Sequence, residues 1–211
     1  TVVGFAITAI ASVVIFLPLV IAIWSMLTTP RRYYALVEAG CWGRWQEVID
    51  STPRLRGRIS GFDLDMRLAT AHAAMGRFDE GMAICAQHAN NPEVPRWMYL
   101  MHEAGLYEIV HRFEKVIDCH RQAYEEAPEN PSVVLAFAEM LLVQNRELDL
   151  ARKLIAHGES LPLSDSLEML LPFHNGLAAL NGNHDAKALD LLRAAEATLE
   201  PRAPTSAPAR K

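Results

Sequence analysis

The chain has 211 residues and a net charge of −5, and its three cysteines form no CxxC pair. Residues 61–200 contain 22 acidic and 11 basic side chains, and this excess of negative charge argues against a nucleic-acid-binding surface. An odd number of cysteines argues against a disulfide framework and favours free thiols in a reducing compartment.

The first feature along the chain is an apolar segment. Residues 2–27 contain no charged side chain, and a run of this length is sufficient for a helix to cross a bilayer. A cleaved signal peptide is the main alternative, but no positive residue precedes the run and the run is too long. A buried core helix is the other alternative. We expect residues 1–28 to be a transmembrane anchor helix, with residues 2–27 in contact with lipid.

A basic segment follows the apolar run. Residues 31–60 contain six arginines against three acidic residues, and the positive-inside rule therefore places the remainder of the chain on the cytoplasmic side. We assign residues 29–61 to a basic juxtamembrane segment that includes a partial first repeat. The arginines expected close to an anionic leaflet are Arg31, Arg32, Arg54, Arg56 and Arg58. Alternatively, they are solvated loop residues without a role at the membrane.

The rest of the chain contains a repeated unit. Large side chains at its turns, namely Trp45, Phe78, Phe113 and Leu148, are separated by 33, 35 and 35 residues, and a final copy follows at a looser spacing. A period near 34 with two amphipathic segments per copy is typical of stacked helix pairs. The Asn91-Pro92 and Asn130-Pro131 pairs and the Asp165–Glu168 box are expected to open helices.

The copy that contains Phe113 places small, aromatic and proline residues at fixed positions: Ala104, Tyr107, Phe113, Ala123 and Pro128. In this respect the chain resembles the tetratricopeptide repeat (TPR) family across about residues 33–201. Gly81, His111 and Pro172 depart from the pattern of that family. The resemblance implies an α-solenoid of about 4–5 TPR-like hairpins. Since no stretch of alternating period indicates a strand, the predicted fold is all-α, with one N-terminal transmembrane helix followed by this solenoid. The solenoid is assigned to residues 62–201, and the Pro- and Ala-rich residues 202–211 to a disordered tail.

No pattern of reactive residues indicates catalysis. Cys119 and His120 are adjacent on a helix and point in different directions, and His111 belongs to another part of the repeat. No metal-binding, phosphate-binding or nucleophile motif is present in the sequence. We therefore predict a protein that is not an enzyme and that uses no cofactor or metal.

The resemblance implies that the first helix of each pair lines a concave face that binds other proteins. The side chains expected on this face are Arg67, Thr70, Tyr99, His102, Gly105, Phe137, Met140 and Val143. Alternatively, the larger of these side chains form the core between repeats.

Together these features predict a single-pass membrane protein with a cytoplasmic TPR scaffold that binds partner proteins. The layout resembles bacterial inner-membrane proteins with anchored repeats, and also anchored repeat receptors of the mitochondrial outer membrane. A permanent structural subunit of a large membrane complex is the alternative function.

Overall fold

The computed structural model describes residues 28–182 and 184–199. The predicted anchor over residues 2–27 and the predicted tail over residues 202–211 lie outside these ranges. In the described ranges the regular elements are all helices, apart from an isolated bridge between Arg56 and Ile59. The all-α fold is therefore confirmed. Within the same ranges, the helices are too short or too polar to cross a bilayer.

The described helices divide between two compact units that meet between Ala71 and His72. The first unit contains α1 over residues 28–41, α2 (Trp45–Ser51), a short 3-10 helix (Thr52–Leu55) and most of α3 (Gly61–Ala74). Its core is apolar and includes Leu36, Val48, Leu55 and Leu64. These residues come from all four elements, which explains why so short a segment is compact.

The second unit contains the end of α3 and eight further helices. They are α4 (Phe78–Ala86), α5 (Arg96–Ile109), α6 (Phe113–Glu126), α7 (Pro131–Val143), α8 (Leu148–Ser160), α9 (Asp165–Glu168), α10 (Leu171–Leu180) and α11 (Asp185–Leu199). The closest packing is between α5 and α6, α7 and α8, and α10 and α11. The described helices therefore form the predicted hairpins of an α-solenoid.

The core of the second unit is continuous across neighbouring hairpins. Phe137 and Leu141 on α7 pack in one cluster with Val116 on α6 and Leu154 on α8. These four side chains are each no more than 2% exposed. Because α7 is covered by both its own partner helix and the preceding hairpin, each hairpin depends on its neighbours for burial of its apolar side chains.

The turn between the two helices of a hairpin has the same backbone geometry each time. An N–H donates to the carbonyl oxygen five residues earlier, at 2.8–3.0 Å, in the pairs 44→39, 77→72, 112→107, 146→141 and 184→179. The residue before the donor has a positive φ in four cases, namely Gly43, Gly76, His111 and Asn145. This combination is the Schellman helix ending. A positive φ favours glycine, which explains why glycine recurs at these turns. His111 departs from the pattern because it adopts the same backbone conformation with a side chain.

The predicted helix starts have different outcomes. Asn130 caps α7 as expected, because its side chain accepts a hydrogen bond from the Ser132 N–H at 3.0 Å. The prediction for Asn91-Pro92 is wrong: Asn91 accepts from the Glu93 N–H in a turn, and α5 begins only at Arg96. Asp165 opens α9, but that helix has only four residues and no side-chain cap.

Pro172 lies in the first turn of α10 and not inside a longer helix. Proline has no N–H to donate, and the first turn of a helix is where this absence costs least. The first helix of the last hairpin is therefore divided into α9 and α10.

Candidate functional site

The turn hydrogen bonds align the first helices of the hairpins residue by residue. The acceptors Tyr107 and Leu141 are 34 residues apart, so each position on α5 corresponds to the position 34 residues later on α7. This alignment defines a stripe with helical spacing on both helices, which we call the first-helix face. It consists of Met98, His102, Gly105 and Ile109 on α5, and Ser132, Ala136, Glu139 and Val143 on α7.

All eight residues of the first-helix face are partly or fully exposed. On α7 the face is sharply separated from the core, because all residues from 133 to 142 except Ala136 and Glu139 are buried. Val143 is 54% exposed although it is apolar. The face therefore combines small side chains, which let another backbone approach closely, with apolar side chains at one end.

Three of the side chains expected on this face are instead buried. Tyr99, Phe137 and Met140 are 5%, 1% and 6% exposed, and the latter two belong to the core cluster between hairpins. Two of the three positions expected on α7 are one residue too late: Ala136 and Glu139 are accessible, whereas Phe137 and Met140 are buried. One residue rotates a side chain by about 100° around a helix, which is sufficient to move it from the surface to the core.

The other expected side chains on this face lie at accessible positions. His102, Gly105 and Val143 belong to the first-helix face of the second unit. Arg67 and Thr70 lie on α3 in the first unit, where both are already bonded. Arg67 contacts Asp63 at 3.2 Å and the Tyr33 hydroxyl at 3.0 Å, and the Thr70 hydroxyl donates to the Met66 carbonyl at 2.9 Å.

Glu139 is the acidic residue of the first-helix face. Its carboxylate lies 3.1 Å from Nε2 of His174 on α10, and the His174 side chain is only 2% exposed. Nδ1 of His174 has no hydrogen-bond partner in the described part of the chain. The contact fixes the Glu139 side chain at the point where α7 and α10 approach each other.

Ionisable side chains are also buried next to α5. Burial raises the pKa of the Cys85 thiol to about 11 and that of the Cys119 thiol to about 12, and in both cases the Glu103 carboxylate adds to the effect. Burial likewise raises the pKa of Glu103 itself. Both thiols are therefore protonated at neutral pH, a state unsuited to nucleophilic attack. Among the described residues, no three His, Cys, Asp or Glu side chains form a group able to hold a metal ion.

The arginines predicted to lie near the membrane are all exposed in the first unit. Arg56 forms an ion pair with Asp65 at 2.7 Å. Arg31, Arg32, Arg54 and Arg58 form no ion pair with the described residues. Arg32 and Arg54, which are 22 residues apart, line the same cleft. Both belong to the predicted basic segment, but their spacing along the chain gave no signal that they share a cleft.

A second cleft, of about 470 Å³, was not expected from the sequence. It lies beside the turn between α10 and α11, and Arg152, Asn175, His184 and Lys187 line it. Arg152 is paired with Asp149 at 3.0 Å, and the Asn175 amide donates to Glu159 at 2.7 Å. The residues that form this cleft are spread over three helices, so spacing along the chain gave no signal for it.

Comparison with solved structures supports the fold. Two crystal structures of TPR-like repeats from Podosopora anserina, ascribed to a kinesin light chain, have TM-scores of 0.52 and 0.51 and 13% sequence identity. The matches cover 82% and 83% of this chain and 95% and 97% of those chains. A structure of MamA from MSR-1 has a TM-score of 0.48 and 15% identity, over 83% of this chain and 98% of that chain.

No known family model matches the sequence, and no curated protein does so. The two matches with TM-scores above 0.5 define the class of fold: the described part of the chain is an α-solenoid of TPR-like repeats.

Proposed function

We propose that this protein is a membrane-anchored, non-enzymatic scaffold that binds partner proteins through the first-helix face of its second unit. The observation that carries the proposal is the pattern on α7, where four residues at helical spacing stay accessible while all the residues between them are buried. Similarity to TPR-like structures supports the same conclusion, because stacked helix pairs commonly present such a face to other proteins.

The chemistry of the first-helix face suits a helix or an extended peptide. Gly105 and Ala136 are small, and a Cβ atom added at Gly105 would meet no atom within 4 Å. Ile109 and Val143 supply apolar contact, while Glu139 supplies a fixed carboxylate. A partner segment with an apolar stripe and a basic side chain would complement this arrangement.

The proposed anchor is the uncharged run over residues 2–27, which is long enough to cross a bilayer as a helix. The arginines that follow it support an orientation with the helical units on the cytoplasmic side. A bacterial inner membrane suits this layout. The proposed anchor is tested by washing membranes with carbonate, which should leave the chain in the pellet. Release of the intact chain into the supernatant would contradict the anchor.

Partner binding is tested with two matched substitutions in the full chain. Ala136→Arg places a long cation on the first-helix face, and Ala156→Arg places the same side chain at an exposed position of α8 in the same hairpin. A photo-crosslinking residue at position 143 should capture a partner in intact membranes, and Ala136→Arg should abolish the product. Ala156→Arg should preserve it.

The crosslinked product also separates the two functions considered from the sequence. A scaffold should yield a product that is lost when the membranes are solubilised before crosslinking, because its partner dissociates. A permanent subunit should yield the same product before and after mild solubilisation. Equal loss of product in both arginine variants would contradict a role for the first-helix face.

A further inference from the structure

The first unit contains a cleft of about 250 Å³ at the side of α1. Arg32 and Ala35 contribute to it from α1, Ser51 from the end of α2, and Arg54 and Leu55 from the 3-10 helix. Pockets for drug-sized molecules commonly have volumes of about 300–1,000 Å³, so this cleft suits a smaller group.

The two arginines of the cleft have no counter-charge among the described residues. Neither Arg32 nor Arg54 has an ion pair or a side-chain hydrogen bond with the residues that the structure describes. By contrast, Arg44, Arg56 and Arg67 in the same unit contact Glu47 at 2.9 Å, Asp65 at 2.7 Å and Asp63 at 3.2 Å. An anion bound in the cleft would supply a counter-charge to both of the arginines that line it.

The donors of the cleft match a phosphate ester. A guanidinium group presents a planar fork of N–H donors that fits phosphate oxygens, and the Ser51 hydroxyl provides a further donor. Ala35 is exposed and supplies most of an apolar wall, because Leu55, which also lines the cleft, is only 1% exposed. Such a wall accommodates the carbon atoms next to a phosphate, for example a glycerol unit.

The position of the cleft in the chain indicates where the phosphate comes from. Arg32 lies five residues after the end of the uncharged run over residues 2–27. At about 1.5 Å per residue, five residues of helix span roughly 8 Å, which places Arg32 at the outer edge of the headgroup region if the run is embedded in lipid. We infer that Arg32, Arg54 and Ser51 form a binding site for a phosphate ester, supplied by the headgroup of an anionic phospholipid. This inference rests on the proposed membrane anchor.

The test compares two double variants of the full chain that remove the same charge. Arg32→Gln with Arg54→Gln changes the cleft, whereas Arg31→Gln with Arg58→Gln changes two exposed arginines that do not line it. Each full chain, solubilised in detergent, is mixed with equal amounts of phosphatidylglycerol and phosphatidylcholine, and lipid adducts are counted by native mass spectrometry. Circular dichroism verifies that both variants are folded.

We expect the cleft variant to lose phosphatidylglycerol adducts by about tenfold and the control variant by less than about twofold. Equal losses in the two variants would overturn the site, because attraction to the basic segment as a whole would then explain binding. A wild-type chain that shows no preference for phosphatidylglycerol over phosphatidylcholine would also overturn it.

A soluble competitor distinguishes the source of the phosphate. Displacement of the lipid by glycerol 3-phosphate supports recognition of the phosphate ester itself. Lipid binding that resists the competitor, and still depends on Arg32 and Arg54, supports the same site with the lipid as its ligand.

Two outcomes distinguish the absence of the phosphate site from the absence of the membrane anchor. A chain that resists carbonate washing but shows no difference between the two double variants would overturn the phosphate site alone. A chain released by carbonate that still binds glycerol 3-phosphate through Arg32 and Arg54 would overturn the anchor and retain a phosphate site.

Discussion

The guanidinium group of Arg112 lies over the ring of Phe78, with Cζ 4.7 Å from the ring centroid. Phe78 is the first residue of α4, and Arg112 precedes the first residue of α6, so this contact joins the turns of two successive hairpins. The Tyr107 ring also packs against the Phe78 ring, with the two ring centroids 5.9 Å apart. Turn residues therefore contribute to stacking between hairpins as well as to the turns themselves.

We predict that Arg112 and Phe78 are energetically coupled. A double-mutant cycle with Arg112→Ala and Phe78→Leu should give a coupling free energy of about 0.5–1 kcal/mol, the usual range for a cation over an aromatic ring. Thermal unfolding of the full chain measures it. Arg121→Ala provides the control, because Arg121 lies over Phe137 and should add to Phe78→Leu without coupling.

His111 is predicted to be a strained turn residue. Its φ of +57° is left-handed, and glycine occupies the equivalent position at residues 43 and 76. His111→Gly should be more stable than His111→Ala by about 1 kcal/mol, because glycine adopts this backbone conformation without a steric cost. The comparison with alanine removes the contribution of the His111 ring, which packs 5.6 Å from that of Phe113.

The expected difference corresponds to a shift of roughly 2–4 °C in melting temperature for a chain of this size. In the reciprocal experiment, Gly76→Ala should lower the melting temperature. Equal stability of the two His111 variants would show that the turn relaxes to another conformation.

Two helical glycines should respond in opposite directions to alanine. A Cβ atom at Gly158 would lie 2.6 Å from Cδ2 and 2.9 Å from Cγ of Leu135, a side chain that is 1% exposed and has no free space. Gly158→Ala should therefore destabilise the chain by about 1–3 kcal/mol through overpacking. Gly105→Ala meets no atom and should stabilise α5 by up to about 1 kcal/mol. Thermal unfolding of the two variants provides the test, and destabilisation by both would contradict it.

The buried imidazole of His120 makes stability depend on pH. Its side chain is 7% exposed and lies parallel to the Phe137 ring, with an interplanar angle of 6°. Burial lowers the pKa of His120 from 6.5 to about 4, although the negative charge of Glu139 acts in the opposite direction. Between these two values the unfolded chain binds a proton that the folded chain does not, so stability falls as pH falls.

His120→Phe should remove this dependence. The wild type should lose on the order of 3 kcal/mol relative to the variant between about pH 7 and pH 4, since one pKa unit corresponds to about 1.4 kcal/mol. Their difference at pH 8 reflects packing alone and serves as the reference. If the two unfolding curves shift in parallel with pH, His120 is not the group responsible.

Much of the fold could be predicted from the sequence because the repeat fixes distances along the chain. The spacing of Phe78, Phe113 and Leu148 located three hairpins, and each of these residues begins a second helix. Asn130 was correctly identified as a cap because its side chain bonds to a backbone N–H only two residues away. Predictions were weaker where two local signals competed, as at Asn91, whose side chain forms a turn instead.

The helix pairs, their period and the basic character of residues 31–60 could be predicted from residue order, since they depend on neighbouring residues and on composition. The packing of the helices in three dimensions was needed to show that Ala136 is accessible while Phe137 is buried, and that Arg32 and Arg54 share a cleft. Both outcomes depend on how a helix is rotated against its neighbours. A rotation by one residue changes which side chains reach the surface but leaves the repeat period unchanged.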